Sequence, residues 1–257
     1  MFLFSTEITS SKIISDNPLF QRTLKAYNLI AKKIEGDVLE IGCGEGYGID
    51  IISKKANSLT VIDKSKYVLE RIKDKFPETT ILHQNIPPLN NLKDNSFDTI
   101  ISFQVIEHIE DATLFIKEIH RVLKPNGKAY ITTPNSKKTI ARNPWHYKEY
   151  NYSEINTLIR NSFNNYSING IQGNEKTDIY YLKNKQSVER LLRFDVFKIQ
   201  YKMPAPLLRI PYEVVNRLNR NKLLKKNASL VNSIKLEDYS LKAYSQETLD
   251  FFCVLKK

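Results

Sequence analysis

The chain has 257 residues, 41% hydrophobic and 26% charged, enough for one large globular domain or one domain carrying a sizeable insertion. Its two distant cysteines, Cys43 and Cys253, exclude a dense disulfide framework, and no apolar run reaches the length of a membrane span, so a cytoplasmic protein is expected. Net charge is +11 and unevenly spread: Lys183 to Lys226 holds twelve Lys/Arg against three Asp/Glu, which suits a polyanion, an anionic lipid surface, a phosphorylated substrate or simply a solvated basic face.

Pro18 to Ile34 spaces its apolar residues as a helix does, with Asn17 available as a cap, and Glu35-Gly36-Asp37 ends it. Strands and helices then alternate. Val38–Ile41, Ser58–Ile62, Thr80–His83, Phe97–Phe103 and Lys128–Thr133 read as strands; Tyr47–Lys55, Ser65–Phe76 and Ala112–Leu123 read as helices, with a turn at Lys124–Gly127. This order predicts an α/β fold with a mostly parallel sheet covered on both faces. Beyond Pro134, Ser153–Asn161 reads as a helix, Tyr166–Ile171 as a strand and Leu249–Leu255 as the closing strand. The expected units are a helical N-terminal flap over residues 1–36, a core over 37–173, a basic helical insertion over 174–245 and a terminal strand over 246–257 that completes the core sheet.

Gly42-Cys-Gly-Glu-Gly-Tyr-Gly48 follows a strand and places four of the eight glycines at alternate positions. Glycine there lets the backbone turn sharply and approach a ligand, and the following helix would add free N–H groups. Nicotinamide and flavin enzymes use related loops, but their Gly-x-Gly-x-x-Gly register needs glycine at Tyr47 or at Ile49. Asp63 ends the second strand about 20 residues on, where a carboxylate can accept both ribose hydroxyls.

The loop, Asp63, Asn95-Ser-Phe-Asp98-Thr-Ile-Ile-Ser, Val105-Ile-Glu-His108-Ile and Arg121-Val-Leu-Lys-Pro-Asn-Gly127 together resemble the successive motifs of class I S-adenosylmethionine-dependent methyltransferases. The resemblance covers about residues 20–170 and the last strand. It implies a Rossmann-like seven-stranded sheet with one antiparallel strand, S-adenosylmethionine as cofactor, and methyl transfer as activity. By the same resemblance Gly42 and Gly44, with Cys43 between them, cradle the methionine part, Glu40 orders its amino group, and Asp63, beside Lys64, holds the ribose. Asn85 stands where the family usually has Asp, its amide oxygen still able to accept from the adenine amino group. Ile86 offers a backbone N–H to the ring, and Phe103 and Gln104 lie at the ligand-binding edge of their strand.

A hydroxyl acceptor needs its proton removed, and histidine, with an unperturbed pKa near ~6.5, suits the task. His146, in Asn143-Pro-Trp-His-Tyr-Lys-Glu149-Tyr150, is the first candidate, with Glu149 able to orient it. His108 is the second, and transfer without a dedicated protein base stays open. His83 and His120 read as structural or exposed. No His/Asp/Glu spacing predicts a metal site. In Val188–Leu230, Leu191, Leu192, Phe194, Val196, Phe197, Ile199, Leu207, Leu208, Ile210, Val214, Val215 and Leu218 alternate with Arg/Lys. The simplest reading is a cover whose apolar face is core; the other is a lid touching an anionic membrane or a phosphorylated acceptor. The expected acceptor is a hydroxyl of a small molecule, lipid-linked precursor or glycan. Nucleic-acid methylation is the alternative, although Phe103-Gln-Val-Ile lacks the Asn/Asp-Pro-Pro-Tyr/Phe element of base amino-methylating enzymes; a non-catalytic binding module is the third.

Overall fold

A computed structural model of the protein describes residues 9–193, 195 and 199–257. Phe194, Val196 and Phe197 of the expected apolar series, and the first residues of the expected flap, lie outside them. In chain order the main elements begin with α1 (Asn17–Ile30), β1 (Asp37–Ile41), α2 (Ile49–Ile52), β2 (Ser58–Asp63), α3 (Lys66–Lys75), β3 (Thr80–His83), β4 (Phe97–Phe103), α4 (Ala112–Val122) and β5 (Leu123–Pro134). Then come α5 (Tyr152–Arg160), β6 (Asn165–Gly173), α6 (Glu175–Leu192), α7 (Ile199–Lys202), α8 (Ala205–Lys226), α9 (Ala228–Ser233), β7 (Tyr239–Ala243) and β8 (Asp250–Lys256).

The eight strands form one sheet in the order β3-β2-β1-β4-β5-β8-β6-β7. The ladders among β1 to β5 are parallel, whereas β8 runs antiparallel between β5 and β6, and β7 runs antiparallel along β6. This is the Rossmann-like α/β arrangement expected, with one strand more than the seven foreseen. The extra strand, β7, lies inside the segment read as a helical insertion and adds a second antiparallel strand at the sheet edge.

Strand β4 is buried at every position but Asp98, as a central strand covered on both faces requires. One core layer joins α1, α2 and α3 to the sheet through Ile30, Ile49 and Leu69; the other joins α4 and α5 through Phe115, Ile119 and Ile155. Helix α4 starts where the Asp111 carboxylate accepts from the Leu114 N–H (2.8 Å), and α5 starts with a reciprocal cap between Asn151 and Glu154.

Two local readings change. Asn17 does not cap α1; it is the helix's first residue, and its amide donates to the carbonyls of Val231 and Ile234 (2.7 and 2.9 Å), tying α1 to α9. The helix after the glycine loop shrinks to the single turn of α2, because the chain is still turning through Gly44 and Gly46 at positive φ. A helix this short contributes little dipole, so the loop backbone itself must do the cradling.

Candidate functional site

The glycine loop opens into a cavity of about 700 Å³ beyond the C-terminal ends of the parallel strands. Open α/β sheets place ligands there because the loops diverge where strand order reverses, here between β1 and β4. Gly42 sits at φ +74°, and a Cβ on it would stand 2.4 Å from Val105 Cγ2. The backbone can therefore pass this point only without a side chain. Gly42, Cys43 and Gly44 line the cavity together with Asp63, Lys64, Asn85, Ile86, Phe103 and Gln104, so the structure gathers these expected cofactor residues around one space.

Glu40 lies behind the loop. Its carboxylate is 1% exposed; Oε1 accepts from the Tyr27 hydroxyl at 2.7 Å, and Oε2 has no hydrogen-bond partner among the described residues. Burial, above all, pushes this carboxyl up to about 7. A buried carboxylate oxygen left unpaired is costly, and a cationic amino group beside it would relieve that cost. Asp63 Oδ1 accepts from the Ser65 N–H at 2.8 Å, which orients the carboxylate at the end of β2, and burial raises its pKa. The loop that a Cβ would obstruct and the orphaned Glu40 oxygen both fit a cofactor with a compact cationic amino-acid end and a ribose.

The far end of the cavity is aromatic and rich in imidazole. His108 Nδ1 donates to the Trp145 carbonyl (3.0 Å), leaving the Nε2 lone pair unshared in that tautomer. Burial first, then neighbouring His146, pushes this imidazole down to about 3. His146 Nδ1 lies 2.6 Å from Glu149 Oε1, and the two rings meet edge to face at 4.7 Å. His146 Nε2 lies 2.8 Å from the Asn143 amide nitrogen, and Asn143 Oδ1 accepts from the Trp145 N–H, which fixes that amide's orientation. Both His146 nitrogens are thus engaged.

Glu107, a residue that sequence reasoning passed over inside its own motif, is buried beside them, and burial pushes its carboxyl up to about 7. Ligand atoms of Glu107, His108 and His146 lie within 4.8 Å of one another, a set whose chemistry could hold a divalent ion. The fold makes this set by bringing His146 from after β5 against the turn after β4, a juxtaposition that ligand spacing along the sequence does not display.

Three arginines, also not foreseen, line the cavity. Arg22 pairs with buried Asp250 (2.9 Å) and Arg220 with buried Asp16 (2.9 Å). Arg209 lies over the Trp145 ring at 4.3 Å, with Nε unbonded among the described residues. Thr9, Leu19 and Thr23 add the N-terminal segment to the walls. The charge excess over residues 183–226 signalled Arg209 and Arg220 in advance, whereas Arg22 lies in the segment expected as the N-terminal flap.

Residues 39–131 match the family described as Methyltransferase domain. A probable S-adenosylmethionine-dependent methyltransferase of Mycolicibacterium smegmatis is 35% identical over 159 residues, covering 60% of this chain and 62% of that protein. A ubiquinone biosynthesis O-methyltransferase of Rickettsia conorii is 30% identical over 136 residues, 51% of this chain and 45% of that protein. The match spans about three-fifths of the length of the more similar of these relatives. Among solved structures, a Thermotoga maritima S-adenosylmethionine-dependent methyltransferase described as a possible histamine N-methyltransferase aligns with a TM-score of 0.56 at 15% identity, over 93% of this chain and 91% of that one; at that identity the likeness speaks for the fold alone. Over residues 39–131 the chain is similar to methyltransferase domains, and the sequence relatives named above are described as methyltransferases.

Proposed function

We propose that the protein transfers a methyl group from S-adenosylmethionine to a hydroxyl of a small-molecule acceptor, a class that includes lipid-linked precursors and glycans. The observation that carries this reading is the single cavity joining the glycine loop and Asp63 at one end to Trp145, His108 and His146 at the other. The cofactor, when bound, supplies an electrophilic methyl group on a sulfonium.

The protein's part is to bind, orient and handle one proton. Glu40 Oε2 and the loop around Gly42 hold the amino-acid end, Asp63 the ribose, and Asn85 with Ile86 the base. Trp145, stacked under Arg209, walls the acceptor end and excludes water. His146 serves as general base, the acceptor hydroxyl taking the place of the Asn143 amide at Nε2. Glu149, 2.6 Å from Nδ1, holds the ring and stabilises the imidazolium that forms. His108 is too weak a base to keep a proton at neutral pH and instead offers Nε2 as a hydrogen-bond acceptor to the incoming hydroxyl.

Calorimetric titration with S-adenosylmethionine, with NAD as control, tests the reading at its root. Micromolar binding of the former alone is expected and would open an acceptor screen over phenols, hydroxylated lipids and sugars. Preference for NAD, or no binding of either, would overturn it.

A further inference from the structure

Five apolar residues of α8 are not core, unlike Leu223 near its end. Leu207 is 61% exposed, Ile210 75% and Leu218 63%, and Val214 and Val215 are exposed beside them. Their spacing of three and four residues places them on one face of the helix. The opposite face is fixed to the protein: Glu213 accepts from the Trp145 indole N–H (2.7 Å), and Arg217 bonds Asp16 (2.7 Å). Ile199 and Tyr201 of α7, which directly precedes α8 in the chain, are 45% and 60% exposed as well. Lys222 and Lys225, one and two turns beyond Leu218, continue the same exposed face.

The charge on this surface has one sign. From Ile199 to Lys226 the exposed charges are Lys202, Lys222, Lys225 and Lys226, and the one acid, Glu213, is buried. Exposed Leu, Ile and Val bordered by Lys, with no exposed carboxylate from 199 to 226, match a bilayer whose headgroups are anionic and whose acyl boundary accepts the aliphatic side chains. A second copy of the same face would set lysines against lysines.

We propose that the α7–α8 face seats the protein on an anionic phospholipid surface, with α8 lying in the interfacial plane. Arg209, on the cavity side of that helix, then stands between the bilayer and the cavity. Resting on the methyltransferase reading above, this makes the acceptor an amphiphile drawn from the membrane.

The test uses the full chain and two kinds of vesicle, phosphatidylglycerol and phosphatidylcholine, in a flotation assay. Binding to phosphatidylglycerol vesicles, weakened by salt, is expected, with little binding to phosphatidylcholine. Ile210→Asp combined with Leu218→Asp should weaken it by more than about tenfold, since two aliphatic side chains that would enter the acyl boundary are replaced by charged ones. Lys222→Glu with Lys225→Glu should weaken it separately and abolish the salt dependence it contributes. S-adenosylhomocysteine affinity should be unchanged in every variant, which certifies the fold and keeps the two readings apart. Equal flotation of parent and Ile210→Asp/Leu218→Asp protein, equal flotation on both lipids, or a dimer that this variant dissociates would overturn the proposal while leaving cofactor binding intact. Absent cofactor binding in a parent protein that still floats would overturn the methyltransferase reading alone.

Discussion

The Glu40 carboxyl binds a proton more tightly in the folded protein than in the unfolded chain, because burial outweighs the hydrogen bond from Tyr27. A cationic amino group docking at Oε2 favours the ionised form. Between the ordinary carboxylate range and about 7, cofactor binding must therefore expel this proton, and affinity should rise with pH until Glu40 is already ionised, then level off. Titrations from pH 5 to pH 8 in buffers of different ionisation enthalpy would show this slope and the released proton. Glu40→Gln should flatten both, and an unchanged slope in that variant would remove Glu40 from the amino-group site. His146 is tested separately: His146→Ala should cut turnover by roughly 100-fold or more, as loss of a general base does, with cofactor affinity unchanged. Normal turnover in His146→Ala would leave the transfer without a dedicated base.

Helix α8 is bound to the start of α1 through one buried carboxylate, Asp16, which meets Arg217 at 2.7 Å and Arg220 at 2.9 Å. Replacing Asp16 by Ala would leave two guanidinium groups without their carboxylate in a buried setting. Destabilisation of about 3–5 kcal/mol is expected, read as a drop in the urea midpoint; a midpoint within error of the parent would show that the Asp16 pairs add nothing to the stability of the fold. Such long-range pairs are the part of the molecule that the sequence conceals. The strands β3 and β4 stand where their β-branched and apolar runs predict, and the glycine loop, Asp63 and Asn85 meet around one cavity as their motif order implies. Those features are local or arise from strand alternation. Tyr27 instead reads as one more apolar position of α1, and its clasp on Glu40 exists only once that helix lies over β1. Strand β7 was missed because an edge strand half open to water carries little alternation: Lys242 and Ala243 are exposed and only Tyr239 is buried. The α8 stripe misled in the opposite sense, since helical spacing shows that its apolar residues share a face and not whether that face meets protein or solvent.

At the scale of the whole molecule, the cavity is a joint product of distant stretches of chain. The C-terminal ends of the parallel strands supply the glycine loop, Asp63 and His108, the segment after β5 supplies Trp145 and His146, the N-terminal segment adds Thr9, Leu19 and Arg22, and α8 adds Arg209 and Arg220. Among the described residues no helix is long and apolar enough to cross a membrane. The way β7 joins β6 has a consequence for how such a protein can diversify. Gly173 and Tyr239, the two residues that bracket α6 to α9, are cross-strand partners in one antiparallel ladder. The whole α6–α9 segment thus grows from the tip of a hairpin stem, and its length and content are free to change while the two ends of the graft keep the same spacing. Acceptor preference can then be rewritten by exchanging what the stem carries, with the glycine loop, Asp63 and the parallel strands left as they are.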